Sequence, residues 1–138
     1  MDARKRYMSV DVTMASDVKF RALVMLEGGE TIPALGRWVS LLMLLRQYDG
    51  AIDWRDPLKR AVTCETLELG GDACEAFLAH CADAELIERG PWDDGVVVNR
   101  GMLDEIEYRK ASAEAGRKGG RPRKKAGEAA EEPKRKRV

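Results

Sequence analysis

The sequence predicts a mostly helical α+β fold, and three observations indicate it. The chain has 138 residues, which is enough for one domain with little chain to spare. Apolar residues recur at helical spacing in several segments, most clearly between residues 33 and 48. Short runs rich in alternating or β-branched residues stand among these segments and predict strands.

Two helices are predicted in the first third of the chain. Asp17 can cap a helix that runs to about Glu27, where two glycines end it. Thr31 can cap the next helix, which has Pro33 in its first turn and runs to about Tyr48. This second helix is apolar on nearly all sides, so we expect it to be central and buried.

The middle of the chain predicts one short strand and three short helices. The residues Ala51–Trp54 alternate between apolar and polar positions, as a strand does. Asp56 begins a first short helix, Thr63 can cap a second, and Asp72 can cap a third that carries apolar residues on one side.

A β-hairpin and a last helix are predicted next. The runs Leu86–Arg89 and Val96–Asn99 flank a loop that contains glycine, proline and an Asp-Gly pair, which favours a hairpin. Asn99 can then cap a helix that runs to about Ala115. From Gly116 onward no large apolar residue occurs before Val138, so we expect this segment to be disordered.

This order of elements is typical of the winged helix-turn-helix fold. The hairpin corresponds to the wing, and the helix that begins at Asp72 is in the recognition position. We therefore predict an α+β, mostly helical winged helix-turn-helix domain with a terminal β-hairpin wing over residues 1–112. A basic, disordered tail is predicted over residues 113–138.

The charge is divided along the chain. The formal net charge is zero, from 24 basic and 24 acidic residues. Residues 1–110 hold 14 basic and 20 acidic side chains, whereas residues 111–138 hold 10 basic and 4 acidic ones. The body is therefore acidic and the tail basic, and the tail is where an anionic partner is expected to bind.

Composition excludes several classes of protein. The longest nearly apolar run, Trp38–Leu45, has eight residues and is too short for a membrane span. No apolar segment follows the charged residues near Met1, so we expect no secretory signal, no membrane partner and a cytoplasmic protein. Three cysteines, an odd number, predict reduced thiols rather than a disulfide framework.

Neither catalysis nor a metal site is indicated. His80 is the single histidine, and it does not form a tight ligand set with Cys74 and Cys81, while Cys64 stands alone. The glycines of residues 116–120 follow a helix and lack the strand and the Lys-Ser/Thr end of a P-loop. We predict a protein that is not an enzyme, with no cofactor and no metal.

Three stretches resemble a known family. Asp17–Leu23 is similar to an opening segment in which Asp precedes a basic, apolar helix. Gly36–Leu45, with Tyr48–Gly50 and Ile52–Trp54, looks like a helix with glycine and an aromatic residue that runs into a short strand. Ala113–Pro122 resembles an Ala-Gly-Lys-Lys-Gly-Gly stretch.

Together these stretches resemble the N-terminal winged-helix domain of phage and mobile-element replisome-organiser (DnaD-like) replication initiation proteins. The resemblance implies DNA binding in replication initiation or its regulation, without catalysis. Proteins of this family usually carry a further helical domain, to which helicase-loader contacts are attributed, whereas this chain ends at Val138.

The basic tail is the strongest chemical signal for a nucleic-acid partner, either duplex or single-stranded DNA. Six cations within nine residues can neutralise several phosphates and release counterions. They are Arg117, Lys118, Arg121, Arg123, Lys124 and Lys125. Within this run, Gly120–Pro122 matches the core of an AT-hook, in which arginine lies in a narrow minor groove. A second run, Lys134–Arg137, resembles part of a bipartite nuclear localisation signal or is another phosphate-binding patch.

Five cations of the body are further candidates for contact with the DNA backbone. They are Arg55, Lys59 and Arg60 beside the predicted strand, and Arg89 and Arg100 beside the wing. The helix in the recognition position opposes this reading, because it carries Asp72, Glu75 and Asp83 and has only His80 as a donor. The alternatives are an adaptor whose acidic body docks a replication or transcription protein, and a homodimeric repressor paired through its first or last helix.

Overall fold

The computed structural model describes residues 10–119, with side chains as far as Gly116. A 3-10 turn, Met14–Ser16, precedes helices α1 (Val18–Leu26) and α2 (Thr31–Gln47). The strand β1 (Ala51–Asp53) leads to α3 (Pro57–Leu67), α4 (Gly71–Asp83) and the short helix α5 (Arg89–Asp93). The strand β2 (Val96–Val98) and the long helix α6 (Arg100–Gly119) follow. The predicted fold class, mostly helical α+β, is confirmed.

Helix α1 begins and ends as the sequence predicts. The Asp17 carboxylate accepts hydrogen bonds from the backbone N–H groups of Lys19 and Phe20, which are two of the free donors of the first turn. Gly28 and Gly29 follow with φ values of 101° and 92°, a left-handed backbone that glycine adopts without steric cost. The helix therefore stops, and the chain reverses into α2.

The prediction that Thr31 caps α2 is wrong. Glu30 occupies the capping position and makes no side-chain hydrogen bond, while Thr31 is already helical. The Thr31 hydroxyl instead accepts a hydrogen bond of 2.9 Å from Arg21 Nη1, so it ties α2 to α1. The predicted extent of α2 and the burial of Trp38, Leu41 and Leu45 are confirmed, whereas Ile32 and Met43 are exposed, so α2 is not buried on all sides.

Residues 57–67 form one helix rather than the two that were predicted. Asp56 caps α3 by accepting a hydrogen bond from the N–H of Leu58. Thr63, the predicted second cap, lies inside α3, where it is fully buried and donates a 2.8 Å hydrogen bond to the carbonyl of Lys59. Its hydroxyl is satisfied one turn back, so it does not interrupt the helix. Asp72 is not a cap either, because α4 begins at Gly71.

The predicted β-hairpin is wrong. The strand β2 pairs with β1, antiparallel, with Ile52 opposite Val97. The segment Leu86–Arg89 is not a strand and makes one backbone hydrogen bond to β2, from the N–H of Glu88 to the carbonyl of Val98. Helix α5 occupies the position of the predicted loop. Ile52 and Val97 are both fully buried, so this pairing covers two apolar side chains that a local hairpin would leave apart.

The chain divides into two compact units, the first ending at Asp104 and the second beginning at Glu105. The core of the first unit joins α1, α2, α4 and the sheet, and its largest fully buried side chains include Phe20, Leu45, Ile52 and Phe77.

In the second unit, every described side chain from Glu107 to Gly116 is exposed. Helix α6 ends at Gly119, four residues beyond the predicted end, so Gly116–Gly119 are helical rather than disordered. The predicted domain boundary at residue 112 stays a prediction, and residues 120–138 lie outside the described residues. Among the residues described, no helix is long and apolar enough to cross a membrane.

Candidate nucleic-acid interface

The predicted interface in the tail lies mostly beyond the described residues. Arg117 and Lys118 belong to the last turn of α6 by their backbone. Arg121, Arg123, Lys124, Lys125 and the second run, Lys134–Arg137, lie outside the described residues. The AT-hook-like sequence Gly120–Pro122 lies there too, so its binding mode stays a prediction.

The exposed side of α4 is acidic. Asp72, Glu75 and Asp83 are exposed, and Ala73 and Ala76 lie exposed among them. His80 is not free to contact a base, because its Nδ1 lies 2.5 Å from Glu27 Oε2 on α1 and both side chains are largely covered. Helix α4 thus offers carboxylates and methyl groups to a partner.

Three of the predicted body cations surround Trp54 and Tyr48, and all three have partners in the fold. Arg60 Nε donates a 3.0 Å hydrogen bond to the Trp54 carbonyl, and its guanidinium lies 5.6 Å from the centre of the Trp54 ring. Arg55 Nε lies 3.5 Å from Asp53 Oδ1. The Lys59 ammonium lies 5.3 Å from the centre of the Tyr48 ring. Such contacts hold cations to the protein surface.

The other two predicted body cations are also paired. Arg89 forms an ion pair with Asp83 at the end of α4 and lies 3.9 Å from Asp93. Arg100 lies 4.0 Å from Asp104, one turn along α6. Both arginines remain about half exposed, so water screens these pairs and each stabilises the fold only weakly.

Five residues lie together at this place, and we name them the Trp54 cluster: Trp54, Arg55, Arg60, Trp92 and Gly95. The rings of Trp54 and Trp92 are 6.1 Å apart and tilted by 53°. An open groove of about 730 Å³ runs beside them, and Glu75, Asp93 and Asp94 line it. These carboxylates repel phosphate, so the cluster is a poor surface for a DNA backbone despite its arginines.

Arg37, which is not among the predicted cations, lies on α2. Arg37 is half-buried in α2 and has no hydrogen bond, ion pair or ring contact in the part of the chain that the structure describes. It lines a groove of about 320 Å³ between α2 and the end of α3. We name this the Arg37 groove; its lining residues are Pro33, Gly36, Arg37, Ser40, Thr66, Leu67 and Glu68.

One signal in the sequence points to Arg37. It is the single charged residue between Thr31 and Leu45, in a helix that is otherwise apolar or small, and it follows a glycine. A lone cation in such a helix is either paired inside the fold or kept for a partner. Sequence alone does not distinguish these, because the pairing depends on neighbours from α3.

The cysteines of α4 are thiols held in the core. Burial raises the pKa of Cys74 to about 12, and a hydrogen bond with Cys64 adds to this shift. Burial also raises the pKa of Cys81 well above its ordinary value. Nucleophilic attack and metal binding both require the thiolate, so neither group is prepared for that chemistry near neutral pH. Among the described residues, no group of three or more His, Cys, Asp or Glu side chains is arranged to hold a metal ion.

No protein-family model, no curated protein and no solved structure matches the chain.

Proposed function

We propose that this chain is a non-catalytic DNA-binding protein of phage or mobile-element replication initiation or its regulation. The observation that carries the proposal is the division of charge, with an excess of six acidic residues up to position 110 and six basic ones after it. Helix α6 runs into this basic segment, and its side chains from Glu107 to Gly116 are exposed to solvent. Counterion release at such a segment drives binding to nucleic acid.

The order of elements supports a winged helix-turn-helix body. Helices α2, α3 and α4 follow one another around β1, and β2 completes the small sheet. In this interpretation α4 is the recognition helix and α5 replaces the tip of the wing. The acidic face of α4 indicates that affinity comes from the basic segment rather than from base contacts by this helix.

The test compares binding of the full chain and a neutralised variant to a labelled duplex and to a single strand. The variant replaces the six cations from Arg117 to Lys125 with glutamine. With six phosphate contacts, we expect the full chain to show a slope of about −5 on the duplex in a plot of log K against log salt. We expect the variant to lose this slope and most of its affinity.

A matched control variant makes the same substitution, cation to glutamine, in the body instead of the basic segment. Arg89→Gln with Arg100→Gln removes two exposed, paired cations, and we expect its binding and salt slope to match those of the original chain. Absence of binding by the full chain at about 50 mM salt contradicts the proposal, since six contacts are strongest there.

The adaptor function is the second candidate, and a specific observation favours it. The exposed carboxylates of α4 lie among small alanines, and Glu75 also belongs to the acidic groove beside Trp92. This surface suits a basic replication or transcription protein. If the full chain does not bind DNA, the adaptor becomes the leading proposal, and loss of partner binding in Glu75→Gln with Asp93→Asn tests it. The homodimeric repressor stays a prediction, which sedimentation of the full chain checks.

A further inference from the structure

The Arg37 groove collects polar side chains that have no partner within the fold. Arg37 and Ser40 are half-buried on one side of α2, and Thr66, which is exposed, lines the same groove from α3. Neither the guanidinium nor the two hydroxyls make a side-chain hydrogen bond to any residue that the structure describes. Polar groups that are partly withdrawn from water without a partner weaken the fold, so the presence of Arg37 and Ser40 side by side needs an explanation.

Gly36 provides an independent observation at the same place. Glycine inside a helix costs about 0.5–1 kcal/mol relative to alanine. Gly36 has no positive φ, and a Cβ added to it would meet nothing within 4 Å. Neither backbone geometry nor packing therefore requires glycine here. A glycine with no structural reason, beside an unpaired arginine, leaves room for a group that approaches the α2 backbone.

The charges around the groove are few. Glu68 is the one carboxylate among the lining residues, and it is exposed and makes no ion pair with Arg37. Arg37 therefore keeps a positive charge that no ion pair neutralises, beside two hydroxyl donors. A planar guanidinium can donate two parallel hydrogen bonds, and the hydroxyls can donate to further oxygens of the same group.

We propose that Arg37, Ser40 and Thr66 form a phosphate-binding subsite on the body. A phosphate carries several oxygens that accept from different directions, which matches a guanidinium and two hydroxyls that face one groove. The identification of a DNA backbone as the natural source of this phosphate rests on the proposed function, whereas the existence of the subsite does not. The subsite adds a body contact that the five paired cations do not provide.

The first experiment titrates the full chain with inorganic phosphate and follows NMR signals of the Arg37 Nε–H and the Thr66 amide. We expect both signals to shift and to saturate. Sodium chloride at equal ionic strength serves as the ion control, and Lys19→Gln, which removes an exposed cation of α1, as the matched variant. In Arg37→Gln, the Thr66 shift is expected to disappear while the thermal unfolding temperature stays unchanged. Equal shifts with chloride, or a Thr66 shift that persists in Arg37→Gln, would overturn the subsite.

The second experiment identifies the source of the phosphate. In duplex binding, Arg37→Gln is expected to reduce the salt slope by about 0.9 and to weaken binding about tenfold at low salt, whereas Lys19→Gln leaves both unchanged. Arg37→Lys keeps the positive charge but loses the two parallel N–H donors of the guanidinium. We therefore expect it to retain the salt slope of the original chain but to bind the duplex with lower affinity. Glu68→Gln removes a neighbouring negative charge and tightens binding about twofold.

The outcomes separate this inference from the proposed function. If phosphate shifts no NMR signal while the full chain binds DNA with a steep salt dependence, the subsite is wrong and the proposed function stands. If phosphate binds but Arg37→Gln leaves the DNA slope unchanged, the subsite stands and takes free phosphate instead of the DNA backbone. If the full chain binds no DNA, the proposed function fails, and the phosphate titration still decides the subsite.

Discussion

The Trp54 cluster and the Arg37 groove both present arginine at the surface, but they use it differently. In the Trp54 cluster, Arg60 bonds to a backbone carbonyl and Arg55 pairs with Asp53. In the Arg37 groove, the arginine and two hydroxyls have no partner in the described part of the chain. The cluster is rimmed by three carboxylates and the groove by one. An arginine is thus a candidate ligand-binding residue when its own fold leaves it unpaired. The number of cations near one another is a weaker indication of a binding site.

The largest expected effect comes from removing the centre of the Trp54 cluster. Trp54 is 6% exposed and carries both the Trp92 and the Arg60 contacts. We expect Trp54→Ala to lower the free energy of unfolding by about 3–5 kcal/mol, as measured by urea denaturation. Trp92 is only half-buried, so Trp92→Ala serves as the control and should cost less. Equal losses from the two substitutions would show that the cluster is not organised around Trp54.

The next largest loss of stability is expected from a change in backbone conformation at Gly95. Gly95 has a φ of +85°, and its hydrogen atoms face the Arg55 side chain, whose Cγ would lie 2.8 Å from an added Cβ. The Arg55 chain can move, so the left-handed backbone provides most of the cost. We expect Gly95→Ala to lower the free energy of unfolding by about 1–2 kcal/mol. The double variant with Arg55→Ala should recover only a small part, and full recovery would assign the cost to the side-chain clash instead.

The two regions can be compared directly by substituting one arginine in each and measuring the free energy of unfolding. Arg60→Gln removes a partly buried hydrogen bond and a ring contact, and we expect a loss of about 1 kcal/mol in the free energy of unfolding. Arg37→Gln removes no intramolecular partner and is expected to change it by less than about 0.5 kcal/mol. Chemical denaturation of both variants checks this pair. A larger loss for Arg37→Gln would contradict the distinction drawn between them.

The smallest expected effect has the opposite sign. Gly36→Ala places a methyl group where nothing lies within 4 Å and improves helix propensity, so we expect the protein to gain about 0.5–1 kcal/mol in the free energy of unfolding. The measurement is the shift of the urea midpoint at constant m-value. A destabilised Gly36→Ala would mean that this glycine has a structural role, which removes one of the two observations behind the phosphate subsite.

Local rules predicted the parts of the fold that depend on neighbouring residues. The caps at Asp17 and Asp56 were predictable because a carboxylate one position before a helix bonds the free N–H groups of its first turn. Asn99 follows the same rule, since its Oδ1 accepts from the N–H of Met102. The buried character of α2 also followed from its composition.

Most of the failures are places where a contact between elements decides, and Thr63 is the exception because its own helix satisfies its hydroxyl. Thr31 is engaged by Arg21 and Thr63 by its own helix, although each reads as a cap by position alone. The run Val96–Val98 pairs with β1 instead of its neighbour, because Ile52 provides the apolar partner. For the candidate site, sequence composition identified the basic segment and the body cations. It could not separate paired Arg60 from unpaired Arg37, since that difference arises from contacts between elements.

The pairing of β1 with β2 also sets an order of events in folding. Ala51 lies opposite Val98, so the two strands close a loop that contains α3, α4 and α5. Closing a loop of this length has an entropic cost that must be met before the ladder forms. A chain emerging from the ribosome exposes β1 with no strand to pair with until residue 98 has been added. We therefore expect the sheet to form late, after the local helices have assembled.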